Sequence, residues 1–438
     1  MKSDFRGDSE KVSCPVLGMA GIILLAVCLF TPAPLTIHAA TLSGDSRTIF
    51  RMQKTVDDRN LYPLYEYLNF GLESEQSQGF LSGNIGGWGR LDLGDKRDEK
   101  RDEATLQYGT VSYRGKKSNL AVIAGRQFVA EGVAAERIDG LYLRNDLKGG
   151  FTAAAYVGSP VVTEPNFAGG NLIYGGRIAH SQPRYYTIGV SVLRTDKDSD
   201  RLREEMGIDL WARPFAKLDI VGRSSYNSIT SGWMEHTYNV SFVPLASLKV
   251  NADLSKINYQ DYFHNVTTAA LSLAPGLLDP GEKVFTLGGN VEYMPFDFLS
   301  VSVDYKNYDY DIAGAARYYG GRINFYLPES FMAGFSVHRM AGDNSKLQFD
   351  EYRFFASKKI GKADLTVDLF DVNYDSAIDD RKNVYSLAAA ISYELTEQLK
   401  VAADIDYGRT TELDRQLSGL VKLTYYFDKE FGRNKRGQ

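Results

Sequence analysis

The chain has 438 residues, a formal net charge of -5 and a mean hydropathy of -0.28. Its acidic balance, with both signs interspersed, excludes a polybasic nucleic-acid surface. The hydropathy suits a soluble protein, but equally a membrane barrel in which half of each strand faces water.

Lys2, Arg6 and Lys11 precede an apolar run from Val16 to Phe30, and Ala39 and Ala40 supply small residues for cleavage. This predicts a cleaved secretory signal over residues 1–39. The run is shorter than the roughly 18 to 20 residues that a spanning helix needs. Both cysteines, Cys14 and Cys28, lie within residues 1–39, so the mature chain is expected to have no thiol, disulfide or thiolate metal site. Residues 40–63 read as a lead-in, with Thr48 to Val56 a candidate first strand.

Beyond that point no segment is apolar enough to cross a bilayer as a helix. A crossing must then use a closed barrel, because open strand edges cannot sit in hydrocarbon. Residues 64–427 divide into segments of about ten residues with period-2 character. Leu248, Val250, Ala252 and Leu254 alternate with Lys249, Asn251, Asp253 and Ser255; Leu299, Val301, Val303 and Tyr305 alternate with Ser300, Ser302, Asp304 and Lys306. Leu365, Val367 and Leu369 alternate with Asp364, Thr366 and Asp368, and Val401, Ile405 and Tyr407 with Lys400, Asp404 and Asp406. A basic residue at mid-bilayer on the lipid side costs about 2 to 4 kcal/mol, so the charged sets are expected to face a lumen.

Short turns alternate with longer polar loops along the chain, as in an antiparallel up-and-down barrel whose ends share one side. Ala130 to Glu136 reads as one of the longer outer loops. The longest, Asn258 to Glu282, carries Leu271-Ser-Leu-Ala-Pro-Gly-Leu-Leu278 and is expected to fold inward as a constriction or pack on a partner. The closing strand, Leu417 to Phe427, places Val421, Leu423, Tyr425 and Phe427 on one face, the pattern of a barrel assembly signal. A basic tail over residues 428–438 follows and reads as a periplasmic extension. The predicted fold is an all-β transmembrane barrel of about 22 strands, within a range of 18 to 22.

Ala124-Gly-Arg-Gln-Phe-Val129 followed by Arg137-Ile-Asp-Gly-Leu-Tyr-Leu143 is similar to a strand pair found in many porin-like proteins. With the signal segment and the aromatic closing strand, the mature chain resembles a porin-type outer-membrane barrel. That resemblance implies a Gram-negative outer membrane, insertion by barrel assembly machinery, lipid as the surrounding partner, and passive passage of small hydrophilic solutes or ions. Ser46-Arg-Thr-Ile-Phe50 and Tyr65-Glu-Tyr-Leu68 also resemble barrels of metal-reducing bacteria, some of which sheathe multihaem c-type cytochromes. A sheath housing a periplasmic cytochrome is the alternative that this implies.

Catalytic and cofactor signatures are absent. His180, His236, His264 and His338 lack metal-ligand spacing, and Asp196-x-Asp198-x-Asp200 starts like a calcium loop but has Arg201 and Gly207 where Gly and Glu are needed. A barrel hydrolase would need a Ser-His pair near the membrane boundary, and no motif selects one. No enzyme activity, cofactor or metal is therefore expected. The candidate lumen residues are Arg126, Arg137, Asp139, Arg144, Lys249, Asp253, Asp304, Lys306, Asp364, Asp368, Lys400, Asp404, Asp406 and Lys422, since rings of such charges set ion preference.

Overall fold

The structure, a computed structural model, describes residues 40–431 except 56, 58, 97–99, 118, 162–170, 198–199, 263–280 and 328–329. The predicted signal segment, residues 1–39, and the last seven residues of the tail lie outside the described residues. Twenty-two staves follow in chain order: β1 (Ala40–Lys54), β2 (Pro63–Glu75), β3 (Gly79–Asp92), β4 (Asp102–Gly115), β5 (Ala121–Glu131), β6 (Ala134–Asp146), β7 (Phe151–Pro160) and β8 (Asn171–Gln182). Next come β9 (Tyr186–Lys197), β10 (Asp200–Phe215), β11 (Leu218–Asn227), β12 (Gly232–Leu245), β13 (Leu248–Asn258), β14 (Lys283–Phe296) and β15 (Leu299–Tyr310). The set ends with β16 (Gly314–Leu327), β17 (Phe331–Gly342), β18 (Gln348–Ile360), β19 (Ala363–Ile378), β20 (Arg381–Glu394), β21 (Leu399–Arg409) and β22 (Gln416–Phe431). Asn60–Leu61 adds a short rung to the outer end of β1 and is not a stave.

Each strand pairs antiparallel with its neighbours in sequence, and β22 closes the sheet on β1 from Ala40↔Phe431 to Met52↔Gly419. At about 4.8 Å between strands and a tilt near 40°, 22 staves enclose a backbone cylinder about 44 Å across. The first strand starts eight residues earlier than Thr48, at Ala40. Its inner end carries Ser43, Asp45, Ser46 and Arg47, whose polarity on both faces hides the period. The last strand likewise runs past Phe427 to Phe431, because Asp428 to Phe431 pair with Ser43 to Ala40.

Alternation assigns the two faces. On β15, Val301, Val303 and Tyr305 are exposed while Ser300 and Ser302 are buried; Leu365, Val367 and Leu369 on β19, and Ile405 and Tyr407 on β21, form the same exposed apolar series. An apolar face turned outward all round a closed sheet is a lipid-facing belt. Among the described residues no helix is long and apolar enough to cross a membrane; the crossing is made by strands.

Candidate functional site

The lumen is narrowed by the end of the β5–β6 hairpin. β5 stays with β4 only as far as Gly109↔Arg126, and β6 joins β7 only from Ile138 onward, yet β5 and β6 remain paired up to Glu131↔Ala134. The departure starts at Gly125, where φ is 113°, a conformation that residues with a Cβ rarely adopt. The two-residue tip, Gly132 and Val133, then lies against the inner wall: the Val133 N–H donates to Ser191 Oγ at 3.0 Å, and the Val133 side chain fills the space above Gly207. The expected outer loop from Ala130 to Glu136 is thus a tight turn folded into the barrel.

Apolar packing and charge hold the hairpin in place. Val129, Ala134 and Ile138 form one buried cluster with Tyr156, Ile173 and Leu193 on the inner faces of β7, β8 and β9. Burying Val129 and Ile138 contributes about 1.5 to 3 kcal/mol each. The Glu131 carboxylate, 7% exposed, accepts from Tyr142 Oη at 2.5 Å and has Arg144 at 3.7 Å and Arg177 at 3.9 Å. Arg203 joins Glu136 of the hairpin to Glu205 of the wall. Charge-assisted bonds of this kind are worth about 1.5 to 3 kcal/mol each.

Between the tip and β9–β12 lies a cavity of about 300 Å³ lined by Glu136, Arg203, Glu205, Arg223, Glu235 and Tyr262 among others. Tyr262 ends a short helix, Tyr259–Tyr262, at the start of the longest outer loop, and Asn227 Nδ2 donates to the Asp261 carbonyl at 3.0 Å to seat it. Burial, with the Glu282 carboxylate nearby, raises the Tyr259 hydroxyl above its ordinary range, so this helix adds a neutral group to the mouth. The remainder of that loop, residues 263–280, lies outside the described residues, as does the apolar stretch expected to constrict the pore.

The candidate charges fall into three groups. Arg126 and Asp139 form a two-pronged pair at 2.7 and 2.8 Å where the hairpin leaves the wall, with Arg126 Nη1 also capping the Leu106 carbonyl. By alternation they and Arg137 continue the series of Ala124, Leu141 and Leu143, not the lumen-wall series expected. The inward fold is what removes them from the belt. Arg144 is on the inner face and serves the hairpin.

A second group crosses the wall. Lys306 reaches Asp253 at 2.8 Å, and His338 Nε2 lies 3.2 Å from Asp304 Oδ2. In each case the strand between contributes a glycine, Gly288 or Gly320; a Cβ there would meet the Lys306 or His338 side chain. Tyr318 stacks on the His338 ring at 4.9 Å. The third group lines the adjoining arc, β18 to β22: Arg353 holds Asp368 at 2.5 Å, Lys400 stands 4.0 Å from Asp364, and Ser386 Oγ donates to Asp406 at 2.9 Å. Asp404 is exposed on the same face, Lys422 is half-buried there, and Lys249 is exposed near the inner mouth.

Val421, Leu423 and Tyr425 face outward and are exposed; Phe427 lies over Gly44 and packs on Phe70 at 5.5 Å. Among the described residues no group of three or more His, Cys, Asp or Glu side chains is placed to hold a metal.

No family model matches the chain, and no curated protein matches its sequence. Solved structures with a similar form include Acinetobacter baumannii OccAB4, 8% identical with a TM-score of 0.47 over 91% of this chain and 100% of that one. Others are Pseudomonas aeruginosa OccK8 (OprE), 10% identical with a TM-score of 0.44 over 89% and 98%, and Pseudomonas aeruginosa OccK3 (OpdO), 11% identical with a TM-score of 0.44 over 89% and 96%. Closure of 22 antiparallel staves, an outward apolar belt and a charged inner face make this chain an integral outer-membrane-type β-barrel of porin-like architecture.

Proposed function

We propose that the protein is a passive outer-membrane channel for small hydrophilic solutes or ions, with the β5–β6 hairpin as its narrowest part. The observation that carries this reading is the exposure of charged side chains on the inner face. Arg223 is 49% exposed and Arg353 47% although both are ion-paired, so this chain leaves open space in front of the wall, which supports a hydrated path. Paired charges of both signs along that space favour hydrated polar solutes over apolar ones.

A liposome-swelling assay with sugars of increasing size tests the proposal. Swelling should be fast for monosaccharides and fall steeply with solute size; impermeability to every solute would defeat it. The alternative, a sheath around a multihaem c-type cytochrome, makes a different prediction, namely a haem-staining protein that co-purifies with the barrel in detergent.

A further inference from the structure

The lipid-facing side is not uniformly apolar. A groove of about 650 Å³ crosses it over β8–β12, lined by Ile178, Val190, Val192, Met206, Ile208 and Trp233 among others, within the size range of ligand pockets. One row of cross-strand partners lines it from Ile178 through Val190 and Ile208 to Ser224 and continues past its end to His236 and Lys256. Val190 lies deep in β9, whose outer end is Lys197, whereas Lys256 is two residues from the outer end of β13 at Asn258. The row therefore climbs from mid-belt toward the outer rim as it passes from apolar to polar residues.

The polar end is built. Tyr238 Oη lies 2.7 Å from Ser224 Oγ, and Ser224 Oγ lies 2.8 Å from His236 Nδ1. Trp233 covers the imidazole with ring centres 4.8 Å apart. A Ser-His pair at the membrane boundary invites a hydrolase reading, but Ser224 is 7% exposed beneath its partners, so it orients the ring and does not present a nucleophile. With Nδ1 engaged, Nε2 is the ring's remaining polar atom. Lys256 is exposed beside it, and Lys283, 4.0 Å from Asp311, stands at the outer end of β14 next to Phe285, the cross-strand partner of Lys256. Polar groups on a lipid-facing wall are costly unless something there uses them.

We propose that this groove binds a phosphorylated glycolipid of the outer leaflet, one acyl chain lying along Ile178 to Ile208 and the phosphate meeting His236, Lys256 and Lys283. A groove opening onto the hydrocarbon belt is filled by an acyl chain, and the cationic end specifies an anionic headgroup. The site is separate from the lumen, so it stands or falls independently of the channel reading.

Native mass spectrometry of the full purified barrel in detergent, with added lipid A, dephosphorylated lipid A or phosphatidylglycerol, tests it. Lipid A should be retained best, and Lys256→Ala and Lys283→Ala should each weaken retention about fivefold, as expected for about 1 kcal/mol per lysine. Met206→Trp, which fills the groove without touching the charges, should also lower it, while heat-modified migration on gels remains that of the folded barrel. Equal retention of the dephosphorylated lipid, a preference for phosphatidylglycerol, or full retention by the variants would overturn the proposal.

Discussion

Ile138→Ala perturbs the hairpin without removing any charge. Ile138 is fully buried, on the face that meets Tyr156, Ile173 and Leu193, and its strand pairing with Gln127 and Pro160 uses backbone alone. Truncating a buried Ile costs about 2 to 5 kcal/mol. If most of that cost falls on docking, the balance between docked and undocked hairpin shifts by about thirtyfold to several thousandfold. The bonds of Glu131 and Glu136 remain, so the hairpin is expected to open in events and not permanently. Single-channel recording should then show a second, larger and noisier conductance level. Replacing Val133 and Gly207 by cysteine in the same background should abolish that level on oxidation and restore it on reduction, since a Cβ at Gly207 would meet the Val133 side chain and residues 40–438 contain no other cysteine. A folded Ile138→Ala barrel with wild-type conductance, indifferent to the oxidised cross-link, would refute the hairpin as the constriction.

Asp253→Asn should leave the Lys306 charge unbalanced on the lumen wall and move the reversal potential in a salt gradient toward anion preference; an unchanged potential would take that pair off the conduction path. Gly320→Val should lower the temperature at which the barrel loses its folded gel migration, at a cost of about 1 to 3 kcal/mol, because the added side chain meets the Val337 carbonyl and the His338 ring. Truncation after Phe427 removes the rungs from Asp428↔Ser43 to Phe431↔Ala40 and should slow assembly and lower heat resistance, with Phe427→Ala showing the assembly defect more strongly. Unchanged assembly of both variants would remove Phe427 and its extension from the insertion signal.

The staves were legible wherever one face is apolar and the other charged, as on β13, β15, β19 and β21. β1 was read short because its polar residues occupy both faces near Ser43 to Thr48, so its place is set by pairing with β2 and β22 and not by its own period. The inward hairpin was hidden for a different reason. Strand alternation keeps its phase through the bend at Gly125, so the sequence of β5 and β6 looks like ordinary wall. A signal existed nonetheless: Val129, Ile138, Tyr156, Ile173 and Leu193 put apolar side chains on a face that elsewhere carries charges. An apolar patch on the watery side needs a cover, and here the cover is the hairpin. Likewise the wall-crossing pairs at Gly288 and Gly320 depend on the register of three strands, which no single strand specifies.

On the channel reading the barrel conducts alone. Planar-bilayer recording of the purified protein, free of any haem protein, tests it most directly. Discrete, ohmic steps of one main size are expected, enlarged when the hairpin is released. Absence of steps from correctly folded protein, with conduction or electron transfer appearing only when a second protein occupies the lumen, would contradict it.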